Sequence, residues 1–189
     1  MAAPATLRTD RLLLRNWTAV DAAPFAAMNA DPLVMEHFPK ALDAQESAEM
    51  MERLQHAIRR DGFGFWAVEV NGSGLLAGFV GLQRVTNAAL AFAGAVEVGW
   101  RLDRAFWGRG IASEAARAAS EFAFTTLGVD ELIAYTAARN ERSRRVMRSL
   151  GMVRDPVEDF MFPSLAADDP IAPHVLYRIG RESWTALRG

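Results

Sequence analysis

Seven consecutive residues, Trp107-Gly108-Arg109-Gly110-Ile111-Ala112-Ser113, are the stretch of this sequence best suited to chemistry. They fall between a strand-like run and a helix-like run. With glycine at 108 and 110 and alanine at 112, the helix begins almost free of side chains. The first N–H groups of a helix have no partner inside it and sit at the positive end of its dipole. A bare start is therefore a place to hold a phosphate or pyrophosphate. Taken alone, the segment leaves alternatives open. A Walker loop requires glycine, four residues, then Gly-Lys-Ser/Thr; here the lysine is missing and the spacing fails. A dinucleotide fingerprint requires Gly-x-Gly-x-x-Gly after the first strand, whereas here Ala112 follows Gly110 by two positions and the element lies mid-chain. A tight turn that packs a helix closely on a sheet explains the same glycines.

The composition of the 189 residues bounds the other chemistries. There is no cysteine, which excludes disulfides, thiolate nucleophiles and Cys-ligated metals and fits a reducing compartment. His37, His56 and His174 are scattered, and none has a partner at metal-ligand spacing, so no metal is expected. A formal net charge of −2 provides no field to recruit nucleic acid. No run approaches the roughly 18–20 apolar residues of a membrane span. The N-terminus lacks a basic start followed by an apolar run, so no signal peptide is expected and a cytoplasmic location is. Lys40 is the only lysine, a bias that accompanies many alanines and is compositional.

Periodicity places these residues on elements. Leu7 to Arg15 reads as one strand, and Thr18 and Asp21 suit the start of a helix over Ala22 to Asn29, which Asp31-Pro32 breaks. Asp43 can cap a second helix, Ala44 to Arg60. Phe63 to Val70 and Leu75 to Thr86 read as strands joined by the turn Asn71-Gly72-Ser73-Gly74. Ala95 to Leu102 is another strand, with Val96, Val98 and Trp100 alternating against Glu97 and Gly99. A helix follows from Ile111 to Leu127, then a strand from Leu132 to Ala138. Asn140 caps a helix from Glu141 to Leu150, and late strands start at Met152 and Val175. Phe160 to Pro173, rich in Pro and Asp, reads as a loop. This order predicts a single α/β domain over residues 1–189, a mixed sheet with helices on both faces, and the central hairpin argues against an all-parallel doubly wound fold.

Three segments in order carry a resemblance. Glu97-Val98-Gly99-Trp100-Arg101-Leu102, then Trp107 to Ala115, then Asn140-Glu141-Arg142-Ser143-Arg144-Arg145-Val146-Met147 with Gly151-Met152, resemble the GNAT superfamily of acyl-CoA-dependent N-acetyltransferases. They match its fourth strand, its pyrophosphate loop and its Asn-x-x-Ser helix. Leu7 to Arg15, Asn29-Ala30-Asp31-Pro32 and His174-Val175-Leu176-Tyr177-Arg178 are similar to the branch containing the ribosomal-protein N-terminal alanine acetyltransferases. The resemblance implies a mostly antiparallel sheet of about seven strands with about four helices, splayed between the fourth and fifth strands, here near Val98 to Arg101 and Tyr135 to Ala137.

It also implies roles. Acetyl-CoA is the expected acetyl donor. Its pantetheine arm would pair with the backbone of Val98 and Trp100, with Gly99 allowing close approach, and an N–H there would polarise the thioester carbonyl. Gly108, Arg109, Gly110, Ile111, Ala112 and Ser113 would cradle the pyrophosphate through backbone N–H groups. The Arg109 side chain adds charge or is simply solvated, and Ser113 can serve as a cap alone. Trp107 departs from the Gln or Arg common there across the superfamily, although bulky aromatics are usual in this branch. Asn140 and Ser143 would face the pantetheine arm. Many members carry a tyrosine seven residues after the asparagine as general acid; Met147 stands there and cannot donate a proton. Ser143, Tyr135 or a water would replace it, or the thiolate leaves unaided. The nucleophile is an amine, mostly protonated near pH 7, so a base is useful. Glu97 is the candidate, the alternative being a solvated or arginine-paired glutamate. Arg139, Arg142, Arg144, Arg145 and Arg148 suit a 3′-phosphate or form a solvated helix face.

The acceptor is expected to approach over the two N-terminal helices and the 160–173 loop, a side made apolar by residues such as Phe38, Phe65 and Phe162. A protein or peptide N-terminal α-amine is the favoured acceptor. A small-molecule amine and a non-catalytic CoA-binding module are the alternatives, and a homodimer is common among relatives.

Overall fold

Alternation of side chains along its strands gives the sheet two unlike faces, and each face takes its own helices. The structure, a computed structural model, describes residues 5–187. Its strands are β1 (Leu7–Arg8), β2 (Leu12–Arg15), β3 (Phe65–Val70), β4 (Leu76–Arg84), β5 (Val96–Leu102), β6 (Glu131–Ala137), β7 (Val153–Arg154), β8 (Phe160–Met161) and β9 (Pro173–Gly180). They form one sheet in the order β1-β2-β3-β4-β5-β6-β9-β7, with β8 also paired to β9. The helices are α1 (Ala22–Ala30), α2 (Ala44–Asp61), α3 (Ile111–Thr125), α4 (Glu141–Ser149) and α5 (Arg181–Ala186).

Phe65 and Trp66, adjacent on β3, show how the faces divide. Trp66 meets Phe122 of α3 edge-on, with centroids 5.7 Å apart, and its indole donates to the Ala5 carbonyl. Phe65 points the other way, into a ring cluster with Phe79, Phe25 and Trp17 beneath α1. On α3 the fully buried residues include Ala115, Ala116, Ala119 and Ala123. That small-residue face lets the helix axis lie close to the sheet. Capping follows the sequence closely: Asp43 and Glu46 form a reciprocal box at the start of α2, and Gly62 ends it in the left-handed region.

Every strand pair is antiparallel except β5 with β6. Those two run parallel and share a single register pair, Glu97 with Ile133, whereas β6 pairs with β9 along its whole length. Beyond Glu97 the two strands part, and the expected splay lies there.

Three elements differ from the sequence reading. Leu7 to Arg15 is a hairpin of β1 and β2, because Thr9 turns the chain: its N–H and hydroxyl bond back to Leu12. Phe160–Met161 pairs with Pro173 and His174, so the segment read wholly as a loop starts with a strand. The strand begun at Met152 shortens to Val153–Arg154. A fifth helix, α5, was not anticipated; Trp184 anchors it against Phe124 at 5.5 Å.

Gly81 lies opposite Phe65 where β4 runs close against the start of β3, and a Cβ there would lie 1.9 Å from the Gly64 carbonyl oxygen and 2.6 Å from the Phe65 Cα. Both obstacles are backbone. Gly81→Ala is expected to destabilise the fold by about 3 kcal/mol in urea unfolding. A loss below about 1 kcal/mol would show that the two strands can move apart here.

Candidate active site

The helix start at 108–113 has the geometry its composition predicts. Gly108 and Gly110 adopt φ of 72° and 76°, and Gly110 occupies the N-cap position of α3 with no side chain capping the end. A single 3₁₀ turn, 104–106, capped by Asp103, delivers the chain to this point. Trp107 closes the turn by donating its indole N–H to the Leu102 carbonyl at 2.9 Å, and its ring carries the Arg142 guanidinium at 4.4 Å. The first α3 N–H groups therefore face outward together, beside Gly108, Gly110, Ile111, Ala112 and Ser113 on the wall of one large cavity. The Arg109 side chain is exposed and 5.9 Å from the Phe106 ring. Ser113 accepts from Ser149 at 3.0 Å, so it ties α3 to α4 and does not cap.

A brace holds this loop that sequence reasoning missed. Glu114 accepts from the Thr9 hydroxyl, from the Arg11 backbone N–H and from the Arg11 guanidinium, while Arg11 also donates to the Arg109 carbonyl at 3.0 Å. Burial raises the Glu114 pKa, but these donors outweigh it and hold the carboxyl below its usual range. The acid is thereby turned toward the β1–β2 hairpin and away from the cradle. Residues about 100 positions apart in sequence leave no local signal of such a contact.

The cavity, about 910 Å³, runs through the splay. On the α3–α4 side it is lined by the helix start, Asn140, Ser143, Arg145, Val146 and Met147. Asn140 caps α4 by accepting from the Ser143 N–H, and its amide donates to Thr136 on β6 at 3.0 Å. Ser143 Oγ accepts from the Trp100 indole at 3.2 Å, which ties β5 to α4 across the opening and leaves the serine proton free to donate. Met147 is buried in the same wall. Of the arginine cluster, Arg144 and Arg148 are paired with Glu141, and Arg142 with Glu36. Arg145 lines the cavity, and among the described residues it has no ion-pair partner.

Glu97 stands at the last point where β5 and β6 still touch. It is 7 % exposed, and its carboxylate accepts from Gln83 Nε2 at 2.5 Å and from the Tyr135 hydroxyl. Neither a solvated glutamate nor an arginine pair describes it. Burial pushes its pKa up, against the two donors, and the same burial together with the Glu97 charge raises Tyr135. Gln83 was not anticipated; it lies directly opposite Glu97 in the β4–β5 register, which the connection between the two strands, residues 85–95, hides in the sequence. Gly99, two residues on, faces the Phe65 ring, where a Cβ would come within 3.0 Å.

Beyond Glu97 the cavity continues beneath the 31–43 segment and α2, past Leu33, Phe38, Met50, Phe65 and Phe79. Opposite lies a stack of rings: Tyr135, Phe160, Phe162 and His174, with Phe162 and His174 4.9 Å apart. Phe25, Met28, Met35 and Trp66 are core. Burial holds His174 below the usual histidine pKa and therefore neutral near pH 7. Among the described residues no cluster could hold a metal ion, and no helix is long and apolar enough to cross a membrane.

A family model described as an acetyltransferase (GNAT) domain matches residues 11–153. The chain is 30% identical over 155 residues to the uncharacterized protein YkkB of Bacillus subtilis, covering 80% of this chain and 87% of that protein. It is 30% identical over 172 residues to the FsC-acetyl coenzyme A-N(2)-transacetylase of Aspergillus fumigatus, covering 85% and 70%. Among solved structures, an acetyltransferase of the GNAT family from Bacillus anthracis superposes with a TM-score of 0.78 at 22% identity, over 94% of this chain and 99% of that one. At that identity the likeness is one of fold.

Gly110→Ala places a side chain in the left-handed region, at about 1–2 kcal/mol, and can relax only by rotating the N–H groups of the cradle. Affinity for CoA, measured by titration calorimetry, is expected to fall about 5- to 30-fold. Unchanged affinity would remove these N–H groups from the binding surface.

Proposed function

The chain belongs to the GNAT acetyltransferase family, and on that premise we propose that it transfers acetyl directly from acetyl-CoA to the α-amine of a protein or peptide N-terminus. One observation carries the reading. A buried carboxylate with no cationic partner among the described residues lies at the mouth of the β5–β6 splay, in the same cavity as an uncapped, side-chain-free helix start. The family uses acetyl-CoA, which supplies the activated acyl group.

The residues present fit that donor. The N–H groups at 108–113 suit the pyrophosphate, and the free β5 edge at Val98 and Trp100 suits an extended amide-bearing arm. Arg145, unpaired among the described residues, is the best placed of the cluster for the 3′-phosphate. Glu97 takes the proton from the attacking amine, directly or through a water, and Gln83 and Tyr135 hold it in place. Ser143 suits proton donation to the departing thiolate better than Tyr135, whose hydroxyl is committed to Glu97. Neither role requires anything of Met147.

The favoured acceptor rests on the N-terminal segments and on His174 to Arg178, which resemble the branch that acetylates ribosomal-protein N-termini. A small-molecule amine is the second reading, and the Aspergillus relative is named an FsC-acetyl coenzyme A-N(2)-transacetylase. We place the enzyme in the cytoplasm and allow a homodimer.

Thiol release from acetyl-CoA against a panel of N-terminal peptides and free amines decides between the two acceptor classes, and no release with any amine would leave only a CoA-binding module. Glu97→Gln is expected to lower kcat/KM about 100-fold. Because burial raises the Glu97 pKa, activity should climb as pH rises through that raised value, when the base loses its proton. This acidic limb should vanish in the variant. An unchanged pH–rate profile would take Glu97 out of the base role.

A further inference from the structure

Arg101 lies four residues beyond Glu97 on β5, on the same face of the strand. It is only 9 % exposed and borders the acceptor half of the cavity. Its guanidinium sits 4.1 Å from the Phe38 ring centroid and 5.3 Å from that of Phe79, its cross-strand neighbour. Nη1 donates to Asn29 Oδ1 at 2.9 Å and lies 3.8 Å from Met50 Sδ. Nε is buried and bonds to nothing, Nη2 makes no hydrogen bond, and among the described residues no carboxylate pairs with this arginine.

The contrast with the chain's other arginines is direct. Arg15, also largely buried in the sheet, is held by both Asp21 and Glu69, which drive its pKa up. Arg101 has no such partner, and burial alone lowers its pKa to about 10, still charged at neutral pH. A buried cation without a counter-ion is costly, and an orphaned buried N–H adds to that cost. The vacant edge, Nε with Nη2, is the one that Arg60 and Arg154 each present to a single carboxylate, at 2.8 and 2.6 Å in the case of Arg60. That fork matches two carboxylate oxygens.

We propose that Arg101 is a specificity residue that grips a carboxylate of the acceptor, and that this enzyme therefore acetylates amines carrying a carboxylate at a distance. The proposal rests on the acetyltransfer reading above. Four residues of strand separate Arg101 from Glu97 by about 13 Å at the backbone. The guanidinium stays level with Phe79, so the amine at Glu97 and the carboxylate at Arg101 are on the order of 10 Å apart. The α-carboxylate of a free amino acid is too near its amine to reach both. An extended peptide with Asp or Glu as its second or third residue spans the gap. Phe38, 36 % exposed on the segment between α1 and α2, lies against the guanidinium and borders the same cavity.

Paired acceptors test this on the full chain with acetyl-CoA: N-terminal hexapeptides with Glu at position two or three against the same peptides with Gln, and 8-aminooctanoate against octylamine. The expected result is a KM at least tenfold lower for the Glu peptides, with kcat similar within each pair. In Arg101→Lys, which keeps the charge and loses the fork, the Gln-to-Glu KM ratio should fall toward one. A thermal shift with acetyl-CoA reports that this variant is folded. A preference confined to 8-aminooctanoate keeps the carboxylate grip and moves the acceptor to the small-molecule class. Turnover with equal KM within every pair in the unmodified enzyme overturns the proposal while leaving acetyl transfer intact. Absence of thiol release with every amine overturns the acetyltransfer reading itself.

Discussion

Two parallel strands that share one register pair and then separate are the constraint on which the rest of the molecule depends. A sheet normally satisfies each strand from both sides, and leaving an edge open in the interior costs hydrogen bonds. Here β6 is fully paired with β9, and β5 with β4, so beyond Glu97 and Ile133 each strand keeps its pairing on the side away from the gap. The gap is bridged by side chains and not by backbone: the Trp100 indole reaches Ser143 on α4, and Tyr135 reaches Glu97. The cleft is thus an internal edge held open by well-paired neighbours.

The same split sorts the chemistry by face. Strand alternation sends Trp100 toward the α3–α4 side and Glu97, Gly99 and Arg101 toward the α1–α2 side. Groups facing the two sides of the cavity are therefore consecutive residues of one strand, and the opening beside that strand joins the two sides. Charge follows this geometry. The α3–α4 side offers backbone N–H groups at a helix start, and the α1–α2 side holds one buried carboxylate and one buried guanidinium, each left without a charged partner among the described residues.

Much of this was legible in the sequence because it rests on local physics. Gly108 and Gly110 announce a bare helix start, Asn140 and Asp43 caps, and the alternation from Val96 to Trp100 a strand with two unlike faces. The contacts that stayed hidden join distant segments. Gln83 meets Glu97 only through the β4–β5 register, and Glu114 meets Thr9 and Arg11 only because the first segment folds back as a hairpin. Arg101 was visible as a motif residue, yet nothing local shows that it is buried without an acid. Helix α5 was missed because its stability comes from Trp184 packing on Phe124, a tertiary term that propensity does not contain.

The brace between the β1–β2 hairpin and the helix start has a consequence for the chain as a whole. Arg11 holds the Arg109 carbonyl and Glu114 at once, so the docked hairpin supports the shape of the loop. Under the proposed function, docking and donor binding are linked equilibria, and linkage is reciprocal: whatever strengthens one strengthens the other by the same free energy. The first strands thereby act as a tether whose tension is felt at the cradle. A sequence appended ahead of Leu7 that pulls on the hairpin would be read out as weaker grip on the donor, at a site it never touches.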